Sequence, residues 1–467
     1  MVYEAVQSAS KVAQVMAAIQ GRIDRRQLTP GARIPSIRAM AEALGVSKAT
    51  VVEGYERLAA EGVVQARPGS GFYVAAPLAP LKVADLGRDT DPTVDPLWVM
   101  RQSLRPAAGT LRPGCGWLPD SWMPDEPLRK ALRGLAREGA GGTLFDYGPP
   151  QGSEPLRRLI ARRLGELGIE AGLDQVMLAD SGTHAIDLIC RFLLESGDVV
   201  LVDDPCYFNF HTLLRAHRAQ VVSVPFTPTG PDLAAFAEVL RERRPRLYIT
   251  NSALHNPTGA SFSAPTAHRI LKLAEAHDLV IVEDDIYEDF DPEPAPRLAA
   301  FDGLDRVIRI GSFSKTLSAS VRCGHIAARA DWIAALADLR LATGLGSSPL
   351  HAELVGAVLT DGSYRRHVDG LRGRLAQRRA RVLDRLEALG LEAWRRPSAG
   401  MFLWCRLPPG VDSADVARRA LARDVVLAPG NAFSASGAAS GYMRFNVAQM
   451  DDPRIDAVLA EALRAAR

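Results

Sequence analysis

Residues 307–324 read VIRIGSFSKTLSASVRCG, a β-branched apolar run that leads into serines and the lysine Lys315. The run predicts a buried strand, with the lysine just beyond its carboxyl end. Upstream, LVIVEDDIY at 279–287 is a second apolar run, and it ends in carboxylates that include Asp284. The carboxyl ends of parallel strands meet at one edge of a sheet. The two stretches therefore predict an α/β domain with a lysine and an acid at one crevice.

Apolar runs alternate with longer amphipathic segments through this region. They are VMLA at 176–179, VVLV at 199–202, RLYIT at 246–250, LVIV at 279–282 and VIRI at 307–310. This alternation predicts a mostly parallel central sheet with helices on both faces. From Asp361 onward, arginine-rich helical sequence leads into strand-like segments, which predict a small C-terminal α+β subdomain. We interpret the arginines as a solvated helix face rather than a second nucleic-acid site.

Length and composition bound the other possibilities. A chain of 467 residues predicts two or three domains, and 56 basic against 54 acidic residues exclude a global attraction to polyanions. Without an apolar stretch long enough for a bilayer or a signal peptide, we expect a cytoplasmic protein that uses no membrane. Its five cysteines lack metal-like spacing, so we expect no metal site. The sequence predicts an N-terminal domain at 1–76, a linker that contains proline and aspartate at 77–96, and a C-terminal domain at 97–467. The C-terminal domain is expected to divide into a large subdomain at about 115–345 and a small one at about 346–467.

Three chemical groups in the second half match the needs of pyridoxal 5'-phosphate (PLP). The cofactor needs a lysine for its aldehyde, an acid for its pyridine nitrogen and an anion site for its phosphate. Lys315 supplies the first, Asp284 the second, and Tyr287 is placed to reach the ring hydroxyl. The predicted phosphate site combines a strand-to-helix turn with groups around the lysine, namely Ser181, Gly182, Thr183, Ser312, Ser314 and Arg322.

The order of these motifs resembles fold-type I aminotransferases of class I/II. YGPPQG, SGTHA, DDPCY, HNPTG, EDDIY, SFSK, VRCG and RFNVA stand in that family's order. The resemblance implies that Tyr147 reaches the phosphate in the neighbouring subunit, Tyr207 stacks on the pyridine ring and Asn256 meets its 3'-oxygen. It also implies that Arg444 clamps an α-carboxylate and that Gly116 lines the substrate side. Ala319 and Ser320 replace a frequent Pro-Gly pair, so the loop before Arg322 departs from the family pattern. We interpret His184 and His255, which flank the motifs, as supporting hydrogen-bonding groups.

The first 76 residues predict a winged helix-turn-helix. Apolar residues recur with helical spacing at 37, 40, 41 and 44 and again at 51, 55 and 58, with Gly45 between the two sets. Ser47 is placed to cap the second helix, whose first turn then presents Lys48 and Thr50 to solvent. The segment VVQARPGSGFYVA predicts a wing hairpin that carries Arg67 toward a phosphate or the minor groove.

Residues 28–74, LTPGARIPSIRAMAEALGVSKATVVEGYERLAAEGVVQARPGSGFYV, resemble the GntR family of winged-helix regulators. Lys48 stands where arginine is commoner, and Val52 where some relatives have a basic residue, so base specificity does not carry over. A winged helix that binds another protein is the alternative interpretation. The resemblance implies DNA-facing positions at Arg33, Arg38, Ser47, Lys48, Thr50 and Gly69.

A GntR-type head on an aminotransferase-like body resembles the MocR family. That resemblance implies a transcription regulator that binds double-stranded operator DNA, senses PLP, an amine or an amino acid, and forms a head-to-tail homodimer. A working aminotransferase, for instance on an aromatic or 2-aminoadipate-like amino acid, remains the main alternative, because Lys315, Asp284, Tyr207 and Arg444 are all present. A cofactor-free scaffold is a third.

Overall fold

The computed structural model describes residues 10–25, 27–29, 31–67, 70–74, 96–104, 109–137, 145 and 147–466. The chain divides into two units, Met1–Asp85, which we call the head, and Leu86–Arg467, which we call the body. The predicted DNA-facing Gly69 and most of the predicted linker lie outside the described residues.

Serine caps begin the described helices of the head, which are α1 (Lys11–Asp24), α2 (Ile37–Leu44) and α3 (Lys48–Ala60). Each serine hydroxyl, in Ser10, Ser36 and Ser47, accepts the backbone N–H three residues later, at 3.1 to 3.2 Å. Such a cap satisfies one of the amides that a helix start leaves without a partner. Gly45 ends α2 with φ 63°, a left-handed conformation that glycine adopts without strain.

A hairpin completes the head. Strands β1 (Val64–Arg67) and β2 (Gly71–Val74) are antiparallel, and residues 31–34 hydrogen-bond to the other edge of β2. Leu44 is 36% exposed although the helical spacing placed it on the apolar face. Met40 and Ala41 are the buried residues of α2, and Ile37 packs against the same core while partly exposed. The core of the head consists of Val15, Ile19, Ile23, Leu28, Ile34, Met40, Ala41, Val51, Tyr55, Leu58, Val64 and Val74.

In the described part of the body, helices cover both faces of a large sheet, and further helices pack in the C-terminal part. The helices are α4 (Pro96–Leu104), α5 (Asp125–Arg137), α6 (Glu154–Glu166), α7 (Gly182–Leu193), α8 (Phe208–Ala216), α9 (Leu233–Arg243), α10 (Ala264–Ala276), α11 (Leu298–Asp302), α12 (Ala330–Gly344), α13 (Pro349–Thr360), α14 (Ser363–Ala388), α15 (Ser413–Leu421) and α16 (Arg454–Ala465).

The large sheet has eight strands in the order β3-β10-β9-β8-β7-β4-β5-β6. Neighbours from β9 to β5 are parallel, whereas β10 is antiparallel to both β3 and β9, and β6 is antiparallel to β5. The strands are β3 (Val176–Ala179), β4 (Val199–Asp204), β5 (Gln220–Thr227), β6 (Gly230–Pro231), β7 (Leu247–Thr250), β8 (Val280–Asp284), β9 (Val307–Ser312) and β10 (Gly324–Ala327).

A second sheet of four antiparallel strands lies in the C-terminal part, in the order β11-β12-β14-β13. Its strands are β11 (Glu392–Ala393), β12 (Phe402–Arg406), β13 (Ala428–Pro429) and β14 (Tyr442–Asn446). Leu118 and Trp122 pack into the core of this smaller subdomain, whereas α13 packs into the core of the larger one. The mostly parallel sheet and the small α+β subdomain confirm the predicted fold class.

Among the described residues, no helix is long and apolar enough to cross a membrane. The same part of the chain contains no group of three or more His, Cys, Asp or Glu that could hold a metal ion.

Candidate functional site

Lys315 follows β9 and points its amine at the backbone of a distant segment. Its Nζ donates to the carbonyl of Gly116 at 2.7 Å and lies 5.9 Å from the centroid of the Tyr287 ring. Burial, reinforced by the positive charge of Arg444, lowers the pKa of Lys315 to about 8. An amine with this pKa is partly neutral near neutral pH, which makes it a better nucleophile than an ordinary lysine.

Asp284 ends β8, the strand beside β9, and its carboxyl is buried. Burial raises the pKa of Asp284 to about 7, while the backbone N–H of Ile286 and the positive charge of Lys315 favour its ionised form. Asn251 donates to the backbone carbonyl of Asp284 at 2.8 Å and so holds the end of the strand. The carboxyl can gain or lose a proton near neutral pH.

Arg444 lies on β14 of the small sheet and is fully buried. Its Nη1 donates to Asn256 Oδ1 and its Nη2 to the carbonyl of Gly114, both at 2.7 Å. Asn256 Nδ2 in turn donates to the hydroxyl of Tyr287 at 3.3 Å. Burial lowers the pKa of Arg444 to about 10. The hydrogen bonds join the predicted carboxylate clamp to the residues predicted to meet the cofactor ring.

Aromatic rings surround the Arg444 guanidinium. The ring centroids of Phe402, Phe433 and Phe208 lie 4.3, 4.8 and 5.9 Å from Cζ. Its Nε has no hydrogen-bond partner among the described residues. A buried guanidinium with an unused N–H is a strong site for an anion, because desolvation strengthens charge-assisted hydrogen bonds.

The sheet register brings the two halves of the predicted phosphate site together. In β10, Gly324 pairs with Ala179 on one side and with Ser312 on the other. A side chain on Gly324 would meet Gly311 O at 2.9 Å and the Ser181 carbonyl carbon at 3.0 Å, so only glycine lets the two loops lie this close. The start of α7 therefore lies beside the serines before Lys315.

Backbone amides and hydroxyls converge at that point. Ser181 caps α7 by accepting the N–H of His184 at 3.0 Å, and Ser312 and Ser314 are joined through their hydroxyls at 2.9 Å. Thr183 is exposed. Arg322 is also exposed and adopts φ 50°, an uncommon conformation for a side-chain-bearing residue and one found often at functional sites.

Tyr147 is 81% exposed in the single chain, and none of the contacts described above involves it. Phe145, two residues earlier, is 90% exposed. Within the single chain, Asn256 and Tyr287 lie with Arg444, and Asp284 lies near Lys315. Tyr207 lies near Arg444 and Asp284, and the pairing of β10 brings Ser181 beside Ser312, whereas Tyr147 takes part in none of these contacts.

The head presents an exposed basic surface. Arg33, Arg38, Lys48 and Arg67 are exposed, and none has a carboxylate partner among the described residues. Arg67 stacks over the Tyr73 ring of the hairpin at 4.4 Å. The hydroxyls of Ser47 and Thr50 bond to each other at 2.7 Å, so the cap already engages both side chains.

Two family models match this chain, one for each unit. "Aminotransferase class I and II" matches residues 118–462, and "Bacterial regulatory proteins, gntR family" matches residues 11–74. The chain belongs to the MocR family. This type of protein joins a GntR-type winged-helix head to a class I/II aminotransferase-like body.

Three relatives illustrate the match. The MocR-type chain is 30% identical to the uncharacterized HTH-type transcriptional regulator YdcR of Escherichia coli, over 90% of this chain and 91% of that protein. It is 32% identical to a 2-aminoadipate transaminase of Thermus thermophilus, over 73% of this chain and 87% of that one. The crystal structure of LysN, an α-aminoadipate aminotransferase from Thermus thermophilus complexed with N-(5'-phosphopyridoxyl)-L-leucine, superposes with a TM-score of 0.70 and 28% identity, over 79% of this chain and 95% of that one.

Sequence reasoning missed several residues of the site in this MocR-type chain. Gly114, Phe208, Phe402 and Phe433 all touch Arg444, yet they come from four separate segments. Glycine and phenylalanine carry no chemical signal of their own, and their proximity depends on how the small sheet packs. Only the RPGCG turn around Gly114 offered a local cue.

A cavity of about 440 Å³ lies elsewhere, between α6 and the start of α14. Arg163 pairs there with Glu288 and Asp289, at 3.2 and 2.7 Å. The hydroxyls of Thr316 and Tyr364 also contact Asp289. Because these charges satisfy one another, we interpret the cluster as support for the loop that carries Lys315.

Proposed function

We propose that this MocR-type chain is a transcription regulator that binds double-stranded DNA through its head and PLP, with an amine or amino acid effector, through its body. The observation that carries the proposal is the convergence of Lys315, Asp284 and Arg444. These residues come from three strands or loops and share one buried electrostatic environment. The buried Nε of Arg444 has no hydrogen-bond partner among the described residues, which supports a role in binding an anionic group of the effector.

The residues present fit PLP. When bound, the cofactor supplies an aldehyde that an amine can hold covalently and a ring that withdraws electrons. Lys315 would supply the amine, Asp284 would hold a proton at the pyridine nitrogen, and Tyr207, Tyr287 and Asn256 would contact the ring. The anion site at the start of α7 consists of Ser181, Gly182 and Thr183 together with Ser312, Ser314 and Arg322. Arg444 and Gly116 face the effector, and Tyr147 acts from the second subunit of a head-to-tail homodimer.

The head supports a DNA-binding role. Its exposed cations, Arg33, Arg38, Lys48 and Arg67, are free of carboxylate partners among the described residues and suit phosphate contacts. The start of α3, where Ser47, Lys48 and Thr50 lie, is the part of a recognition helix that reaches base edges. The wing glycine Gly69 completes the proposed DNA-facing set.

A DNA titration tests the function. The PLP-loaded chain would be titrated with DNA from upstream of its own gene at fixed salt, alone and with L-2-aminoadipate, L-leucine or L-kynurenine. At least one amino acid is expected to change the dissociation constant for DNA by about 5- to 150-fold and the cofactor's visible absorbance with it. Both responses should be lost in Lys315→Ala.

Lys272→Ala is the matched control. Lys272 lies on the surface of α10 and pairs with Glu275 at 3.1 Å, so its loss should change neither response. Borohydride trapping should attach the cofactor to a peptide that contains Lys315. Attachment to another lysine would overturn the assignment.

The second candidate is a working aminotransferase. It is favoured by the 32% identity to a transaminase and by the presence of Lys315, Asp284 and Arg444 in one site. A steady-state assay with the same amino acids and 2-oxoglutarate separates the two. Rapid turnover with several amino acids and no change in DNA affinity would favour the enzyme over the regulator.

A further inference from the structure

Residues 109–117, which we call the arm, accept hydrogen bonds from both effector-side cations. Lys315 Nζ donates to Gly116 O and Arg444 Nη2 to Gly114 O, each at 2.7 Å. A covalent partner on Lys315 Nζ removes N–H groups that reach Gly116. An anionic ligand on Arg444 competes with Gly114 for the guanidinium. Ligand binding therefore acts on two carbonyls of the same short segment.

The arm is closely packed against neighbouring backbone, so loss of a hydrogen bond to Gly114 or Gly116 should affect more than one of its residues. Gly114 N donates to Val426 O at 2.9 Å, and Leu111 bridges to Val425. A side chain on Gly114 would meet Ala428 N at 2.4 Å, so the backbones are in direct contact. Close-packed segments shift as units rather than deforming residue by residue. Loss of one carbonyl contact is thus passed along the arm.

The arm reaches helix α4, the first helix among the described residues of the body. Arg112 Nη1 contacts the carbonyl of Ser103, in the last turn of α4, at 3.4 Å. In the sequence, α4 begins at Pro96, the last residue of the predicted linker 77–96 that joins the body to the head. Movement of α4 therefore acts on the covalent connection to the DNA-binding unit.

A second contact joins α4 to the effector side. Val99 of α4 is 1% exposed and packs with Phe208, Trp404 and Phe433 in one apolar cluster. The rings of Phe208 and Phe433 meet edge-to-face at 5.3 Å, and both flank Arg444. Tyr207, the predicted ring partner of the cofactor, packs against the same cluster.

We propose that the arm and α4 form a relay that carries ligand occupancy at Lys315 and Arg444 to the linker and so to the head. Val99 is the positioning residue that holds α4 to the aromatic cluster. The relay rests on the proposed function, since it requires DNA affinity to depend on the ligand. The relay names the arm and α4 as the segments that couple the ligand site of the body to DNA binding by the head.

N-(5'-phosphopyridoxyl)-L-leucine, the compound in the LysN structure, is a suitable probe. It joins the phosphopyridoxyl group to an amino acid and carries no aldehyde that could react with a lysine. Hydrogen–deuterium exchange of the full chain, with and without the probe, should change by about fivefold or more in residues 96–104 and 109–117. Addition of the probe should change the DNA affinity of the wild-type chain by about fivefold or more. In Val99→Ala the change in DNA affinity should fall below about twofold, with probe affinity retained.

Val355→Ala is the matched control, because Val355 is a fully buried valine on α13 that packs in the large core. It should lose some stability but keep the full change in DNA affinity. Unchanged exchange in 96–104 of the wild-type chain would overturn the relay even if Val99→Ala failed to fold. A normal response in Val99→Ala would overturn it as well, leaving the proposed regulator intact. If neither PLP nor the probe changed wild-type DNA affinity, the proposed function itself would fail, and the relay with it.

Discussion

Lys315 and Asp284 have pKa values shifted in opposite directions by the same cause. Burial disfavours the charged form of each group, so it lowers the pKa of the lysine to about 8 and raises that of the acid to about 7. Perturbed groups of this kind cluster at functional sites. A buried partner of opposite charge would favour the ionised form of each group, and in the proposed function a protonated pyridine would be that partner for Asp284.

The raised pKa of Asp284 predicts a pH dependence of the ligand-free chain. Its value is 3.8 in the unfolded chain and about 7 in the folded one, so the folded state binds more protons between these values. Stability from this group is present below pH 4 and is lost as the pH rises to 7, by about 4 kcal/mol in total. Asp284→Asn should remove that loss.

The measurement is the free energy of unfolding of ligand-free wild type and Asp284→Asn between pH 4 and pH 8. The variant should become more stable relative to wild type as the pH rises through this range. The depressed pKa of Lys315 changes the free energy of unfolding mainly above pH 8, which is outside the pH range of this measurement. If the difference in the free energy of unfolding between Asp284→Asn and wild type stayed constant from pH 4 to pH 8, the raised pKa of Asp284 would be contradicted.

At the scale of elements, two neighbouring residues at the start of α3 have different predicted effects, one on helix stability and the other on DNA binding. Ser47 caps the helix by accepting the N–H of Thr50 at 3.1 Å, whereas Lys48 is exposed and has no ion-pair partner among the described residues. A lost serine cap typically costs about 1 kcal/mol of stability. A lost phosphate contact instead weakens DNA binding and its dependence on salt.

Ser47→Ala should therefore increase amide exchange in residues 48–60 of the full chain. Lys48→Ala should leave exchange unchanged and weaken DNA binding, with the salt slope reduced by about one. Glu61→Ala, a change at the other end of α3, is the control and should keep wild-type DNA affinity. Wild-type DNA binding by Lys48→Ala would contradict the recognition-helix prediction.

At the scale of the whole molecule, Tyr147 decides whether the site needs two chains. Its side chain is 81% exposed, which suits a group that acts in a neighbouring subunit. Tyr147→Phe should weaken PLP binding, because the hydroxyl proposed to donate a hydrogen bond to the phosphate is then absent. Mixed dimers of Tyr147→Phe and Lys315→Ala chains then distinguish action within a chain from action between chains.

If Tyr147 acts between chains, each mixed dimer has one site with both Lys315 and Tyr147 intact. Wild-type PLP affinity should then return in half of the sites of that dimer. If it acts within its own chain, no site is intact and affinity stays low. Isolation of the mixed dimer with two affinity tags and titration with PLP would measure the recovered fraction.

Local sequence determined much of this protein. Ser47 and Gly45 set the bounds of two head helices through capping and left-handed backbone, which depend on neighbours in the chain. Apolar runs determined the strands of the large sheet, because burial on both faces leaves few polar residues in them. The lysine, the acid and the anion site could be predicted because each lies at or just beyond the carboxyl end of a strand.

Only the tertiary structure decided what surrounds the effector side. The contacts of Arg444 with Gly114 and of Lys315 with Gly116 join residues far apart in sequence, and Val99 meets Phe433 from the opposite end of the body. Such contacts arise from the packing of the small sheet against the arm, where shape and backbone proximity select the residues. Glycine and phenylalanine have no distinctive chemistry, so their roles follow from position in space and not from identity.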